Sequence, residues 1–176
     1  MARFAIDLGD GDGIVLRESW TVTPLHELIE KNLDRLREWE PWAQGEQTQA
    51  GLASFTAFEM HQWVEGKSLP AAIVSDGRVV GSVGARIDGY ARIADVGYWI
   101  DKDAEGRGLV TRAVRALIEH LHTDRGIRRI EIRAAVDNVR SRAVAERLGF
   151  TLERVLRSAQ VVGDQVNDVA LYALIP

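Results

Sequence analysis

Cysteine is absent from this chain of 176 residues, which excludes disulfides, a thiol nucleophile and any Cys-based metal site. Long apolar runs are missing as well. No stretch approaches the roughly 18 consecutive apolar residues that a membrane helix needs. The start, Met1-Ala2-Arg3-Phe4-Ala5-Ile6-Asp7, meets acidic and glycine residues too soon to read as a secretory signal, so the cytoplasm is the default expectation. There is no basic excess: a formal charge of −4 and a pI near 5.6 argue against a nucleic-acid-binding surface. Repeats, low-complexity tracts and dividing linkers are also lacking, so a single domain is expected over residues 1–176. What is present is 46 % apolar and 27 % charged residues, the balance of a folded protein large enough to bury a core.

The order of elements follows from periodicity and turn chemistry. Arg3 to Leu8 and Ile14 to Glu18 read as short strands around Gly9-Asp10-Gly11-Asp12-Gly13; that turn lacks the later bidentate Glu of a calcium loop. Thr23 as N-cap and Pro24 as first helical residue open a helix carrying Leu25, Leu28, Ile29, Leu33 and Leu36. A connection bearing Trp39, Pro41, Trp42 and Gly45 leads to a second helix, Thr48 to Glu65, with Leu52, Phe55, Phe58 and Trp63 as its apolar markers. Strands Pro70 to Ser75 and Arg78 to Arg86 flank an Asp76-Gly77 hairpin turn, and a third runs from Ala91 to Ile100. The helix Leu109 to His122 has a broad apolar face ending at Gly126. A strand, Arg128 to Val136, a helix, Asn138 to Leu148 closed by Gly149, and a hairpin, Phe150 to Val162 with Gln165 to Ile175, complete an α/β layout around a mixed sheet.

Chemistry concentrates in two places. The first is strand, loop, helix: Asp95-Val96-Gly97-Tyr98-Trp99-Ile100, then Glu105-Gly106-Arg107-Gly108-Leu109. Two glycines admit close backbone approach of a bulky anion, and the helix start offers N–H groups and a positive dipole end. The alternative is a plain strand-helix turn. No P-loop run exists, and Thr111 stands where a dinucleotide fingerprint needs its third small residue. The second is Asp137-Asn138-Val139-Arg140-Ser141, whose Asn138 and Ser141 are a cap and a first-turn serine, or a pair facing a ligand one turn apart.

Gly97-Tyr98-Trp99-Ile100, Gly106-x-Gly108-Leu109, Val136-Asp137-Asn138-x-x-Ser141 and Leu148-Gly149-Phe150 resemble the GCN5-related N-acetyltransferases (GNAT), and within them the RimJ/RimL branch of ribosomal-protein N-terminal acetyltransferases. The likeness is dense from Ala94 to Ile175 and loose upstream, where it rests on element order and Trp39-Glu40-Pro41-Trp42. It implies a GNAT fold, a mixed and mostly antiparallel sheet flanked by helices, with a splayed strand pair holding acetyl-CoA as co-substrate and no metal. Under it, the donor is held by Tyr98, Trp99, Ile100, Gly106, Arg107, Gly108, Leu109, Val110, Thr111, Asn138 and Ser141. One departure is Asp103, where the family often has Arg or Gln three residues before the first glycine; Lys102, Arg107 or Arg112 would have to offset its charge.

The resemblance further implies direct attack by an amine, with Ser141 protonating the leaving thiolate. Asp95 faces the acceptor groove as the base, or is a strand-end carboxylate in a salt bridge; Glu59, His61 and water are further candidates for the base. Trp39 and Trp42 wall the acceptor site or anchor a loop. His26, His120 and His122 read as solvated helix positions, since no partner gives a metal-ligand spacing. The acceptor is a protein N-terminal amine, or a small amine, antibiotic or aminoacyl nucleotide. A succinyl or other acyl donor, a homodimer, and an idle CoA-binding sensor are also compatible with the branch.

Overall fold

A computed structural model describes residues 4–176; Arg3, the expected first strand residue, lies outside them. Eight strands form one sheet: β1 (Ala5–Gly9), β2 (Asp12–Leu16), β3 (Ser68–Ser75), β4 (Arg78–Asp88), β5 (Ile93–Ile100), β6 (Arg129–Ala135), β7 (Thr151–Val162) and β8 (Gln165–Leu174). Five α-helices accompany them: α1 (Val22–Lys31), α2 (Leu33–Trp39), α3 (Gln49–Val64), α4 (Leu109–Thr123) and α5 (Val139–Arg147). The spatial order is β1-β2-β3-β4-β5-β6-β8-β7, antiparallel throughout except for the parallel pair β5–β6.

Strand alternation divides the core. Ala71 and Ile73 of β3 with Ala94 and Val96 of β5 pack beneath α4, whose Ala113, Val114, Leu117 and Leu121 are all buried. The intervening Ala72 and Trp99 belong to the opposite face, against Leu25, Ile29 and Leu36 of α1 and α2. The Asp76-Gly77 turn has positive φ at both residues (49° and 74°), as a type I′ hairpin requires.

Two expectations are corrected. The first helix starts at Val22, not at Thr23-Pro24, because Ser19–Thr21 already form a 3₁₀ turn in which Thr21 Oγ1 donates to the Glu18 carbonyl (2.8 Å). Pro24 still falls among the first helical N–H positions, which have no intrahelical acceptor. The same helix is not continuous: it breaks at Asn32, buried at 3 % exposure, which leaves helical geometry and separates α1 from α2. The helix α3 starts where expected, Thr48 Oγ1 capping the Gly51 N–H at 3.0 Å, yet Phe55 and Phe58 are exposed (48 % and 56 %). Their spacing marks the helix, and the fold leaves them on its solvent side.

Candidate active site

The pair β5–β6 carries only three register partners: Ile93 with Arg129, Ala94 with Ile130, Asp95 with Glu131. Both strands continue past that point, β5 to Ile100 and β6 to Ala135, but no longer pair. The last rung sets two carboxylates on neighbouring strands, an unfavourable combination. Each is drawn away by arginine: Asp95 by Arg86 (2.7 Å), Glu131 by Arg129 (2.7 Å) and Arg133 (3.0 Å). Beyond it the strands part and open a cleft of about 830 Å³.

Tyr98, Trp99, Asn138 and Ser141 line this cleft, together with Asp95, Glu59, Trp39 and Trp42. At the strand gap the Tyr98 hydroxyl donates to the Ser141 carbonyl (2.9 Å) and accepts from Ser141 Oγ (3.2 Å). Burial pushes the Tyr98 hydroxyl up to about 12, the Ser141 hydrogen bond opposing it, so the group is protonated at neutral pH. Asn138 Oδ1 caps α5 by accepting from the Ser141 N–H (3.2 Å). Asn138 is therefore a helix cap and a cleft residue at once, and it fixes where Ser141 sits. Gly97 and its register partner Gly84 both line the cleft. A Cβ at Gly97 would meet nothing within 4 Å, so the strand is open to an approaching molecule there.

The glycine loop lies outside this cleft, at the mouth of α4. Gly106 and Gly108 have φ of 77° and 69°, and added Cβ atoms would enter open space. Gly108 is the N-cap and supplies no side chain, leaving the first-turn N–H groups of Leu109, Val110 and Thr111 without intrahelical acceptors. The Leu109 side chain is buried (1 %) and anchors the helix, so only its backbone is available to a ligand. Arg107 is half exposed and 3.7 Å from Asp12, which also receives Arg112. Asp12, read as a turn residue from sequence, is buried in β2 and ties α4 to the first hairpin. These features fit a pyrophosphate: a loop with no obstructing side chain, a helix start and a basic neighbour. Ile100 follows the cleft residues on β5 without lining it.

Asp103 is neutralised, but not by Lys102, Arg107 or Arg112. Lys31 Nζ bridges Asp103 (2.6 Å) and Asp101 (2.7 Å). Asn32 donates to Asp101 (2.9 Å) and accepts the Lys102 N–H (3.0 Å). Burial works against an ionised Asp101, yet Lys31 and Asn32 together hold its pKa below the ordinary carboxylate value. Glu105 is bound by Arg35 and by Arg140 (2.9 Å). Every acidic side chain of the loop thus has a cation from elsewhere in the chain. Sequence reasoning missed Lys31, Asn32 and Arg35 because their partners are about 70 positions away.

Of the candidates for the base, His61 is an exposed partner of Glu65 (3.2 Å) and does not reach the cleft. Asp95 lines the cleft and is salt-bridged to Arg86 (2.7 Å). Glu40, not singled out beforehand as a base, lines the cleft and accepts from Trp42 Nε1 (2.9 Å). Its burial raises its pKa against that hydrogen bond. A rise of that kind cannot be read from a local sequence. Among the described residues no helix is long and apolar enough to cross a membrane.

A strand pair splayed over a cleft, with a glycine loop opening a helix next to it, is the arrangement expected of an acyl-CoA-using transferase of the GNAT type. Residues 16–151 match the Acetyltransferase (GNAT) domain family. The ribosomal-protein-serine acetyltransferase of Escherichia coli K12 is 33 % identical over 155 residues, covering 88 % of this chain and 87 % of that protein. The structure of RimL, the ribosomal L7/L12 α-N-protein acetyltransferase, in complex with coenzyme A superimposes with a TM-score of 0.95 at 27 % identity, covering 98 % of each chain. The microcin C7 self-immunity acetyltransferase MccE, in complex with acetyl-CoA and AMP, gives 0.91 at 28 % identity over 97 % of this chain and 96 % of its own. The chain belongs to the GNAT acetyltransferase family, on its RimJ/RimL side. It is an acyl-CoA-dependent N-acetyltransferase.

Proposed function

We propose that this enzyme acetylates the α-amine at a protein N-terminus, by direct attack of the amine on acetyl-CoA. The observation that carries the reading is the gap between β5 and β6, with Tyr98 and Ser141 hydrogen-bonded across it. The α-amine has a reference pKa near 8 and is readily made neutral. In this reading the donor's pyrophosphate rests on the loop Gly106 to Gly108, Arg107 and the N–H groups of Leu109, Val110 and Thr111. Tyr98, Trp99, Ile100 and Asn138 would hold its pantetheine arm. The donor supplies an activated carbonyl, and free N–H groups of β5 beyond Asp95 polarise its oxygen.

Ser141 Oγ donates a proton to the leaving sulfur. Asp95, held by Arg86 at the cleft (2.7 Å), takes the proton from the amine. The raised pKa of Glu40 favours a second assignment of that step, with Glu40 as the acceptor of the proton. The likeness to MccE bound to AMP supports a second acceptor class, a small or nucleotide-linked amine. A homodimer accompanies the proposal, and sedimentation equilibrium tests it. Turnover with acetyl-CoA and a panel of N-terminal peptides and small amines tests the function. Acetylated peptide is the expected product; tight CoA binding without turnover of any amine would favour the idle sensor and overturn the reading.

A further inference from the structure

Three arginines line the cleft: Arg17, Arg86 and Arg133. Arg86 is bound to Asp95 (2.7 Å) and Arg133 to Glu131 (3.0 Å). Arg17 differs from both. Among the described residues its side chain forms no hydrogen bond and no salt bridge, and its Nε is sealed from solvent without a partner. Its own N–H is pinned to the Pro70 carbonyl (3.0 Å), one residue past the end of β2. The guanidinium lies over the Phe55 ring, 5.5 Å from its centroid. Burial lowers the pKa of Arg17, and Glu59 opposes this through its charge from beyond salt-bridge range.

A guanidinium partly withdrawn from water with no bound anion carries a desolvation cost, and an arriving anion recovers part of it. Stacking on a ring leaves the in-plane N–H groups available, which is the geometry that grips a carboxylate or phosphate by two parallel bonds. The exposure of Phe55, unexplained by packing, has a reason here: it is the platform on which Arg17 rests.

We propose that Arg17 on Phe55 is an anion subsite for the acceptor, so that the preferred amine carries a carboxylate or phosphate within reach of it. This rests on the N-acetyltransferase reading and specifies its acceptor. The test uses the full chain with peptides that differ only in Asp or Asn at the second, third or fourth position, and with an aminoalkyl phosphate against the matching amino alcohol. At one peptide position, or for the phosphate pair, the wild type should favour the anionic member by about tenfold or more in kcat/KM. Arg17→Met should bring that ratio close to 1, through KM. Should Arg17→Met fail to fold, Arg17→Lys keeps the charge and loses the fork, and the ratio should fall severalfold.

Binding of the acetylated Asp and Asn peptides, and of the phosphate and alcohol amines, is followed in parallel by fluorescence of the cleft tryptophans Trp39, Trp42 and Trp99. Tighter, Arg17-dependent binding of the anionic ligands supports the subsite even where nothing turns over, and in that case the acetyl-transfer reading is the one that fails. Equal binding and equal turnover of every pair in the wild type, or a preference that survives Arg17→Met, overturns the subsite.

Discussion

At the scale of single residues, Ser141 and Tyr98 have to be considered together. The Ser141 hydroxyl donates to a phenol that burial keeps protonated, so two hydroxyls stand at the strand gap and either could face a sulfur. Ser141→Ala should lower kcat by about 10²-fold, the low end for general-acid help, because a thiolate of pKa near 8.5 leaves readily. Tyr98→Phe should leave most of that rate. The opposite order in steady-state kinetics would give the proton to Tyr98. For the amine's proton, Asp95→Asn should depress kcat/KM for the peptide. A larger loss in Glu40→Gln than in Asp95→Asn would give the proton to Glu40. Spacing already marked Ser141 and Asn138 as neighbours on one helical turn. Nothing local could mark the Tyr98 contact, which joins positions 43 apart.

Among the elements, the glycine loop and the break at Asn32 form one unit. Asn32 ends α1, satisfies the buried Asp101 and holds the Lys102 N–H, so a helix interruption positions a loop 70 residues away. Asn32→Ala leaves those groups short of partners and should cost about 1–3 kcal/mol. That is a fall in Tm of roughly 2–4 °C per kcal/mol for a chain of this size, with a raised KM for the donor. Asp101 has a folded pKa below its reference value of 3.8. Its contribution is therefore present above that pH and is lost as pH falls through the lower, folded pKa. The stability gap between wild type and Asp101→Asn, followed by denaturant unfolding, should be open at pH 7 and shrink below pH 3.8. Gly108→Ala should cost about 1 kcal/mol for an alanine held at positive φ and raise the donor KM more than it alters kcat. The helices α3, α4 and α5 were legible because caps and apolar spacing are local signals. The division of α1 from α2 was not, since Asn32 leaves helical geometry to serve a distant carboxylate.

For the molecule as a whole, eight strands depend on three β5–β6 rungs to join β1–β5 to β6–β8. In the proposed reading, the donor lies against the unpaired edges beyond them. In hydrogen exchange, CoA should slow the amides of Val96 to Ile100 and of Gly106 to Thr111, and leave the β3–β4 amides unchanged. Protection confined to either segment alone would separate the glycine loop from the strand gap.

The sequence by itself determined the class of fold, the place of the glycine loop and the serine helix, because turn residues, caps and apolar periods act over a few positions. It also carried the family, through motifs spaced in order. Tertiary structure decided how the acids of the loop are neutralised, which face of α3 is exposed, and that Arg17 stands in the cleft over Phe55 with no anionic partner among the described residues. Those outcomes depend on partners tens of residues away and on removal from water, and neither is written in any short stretch of chain.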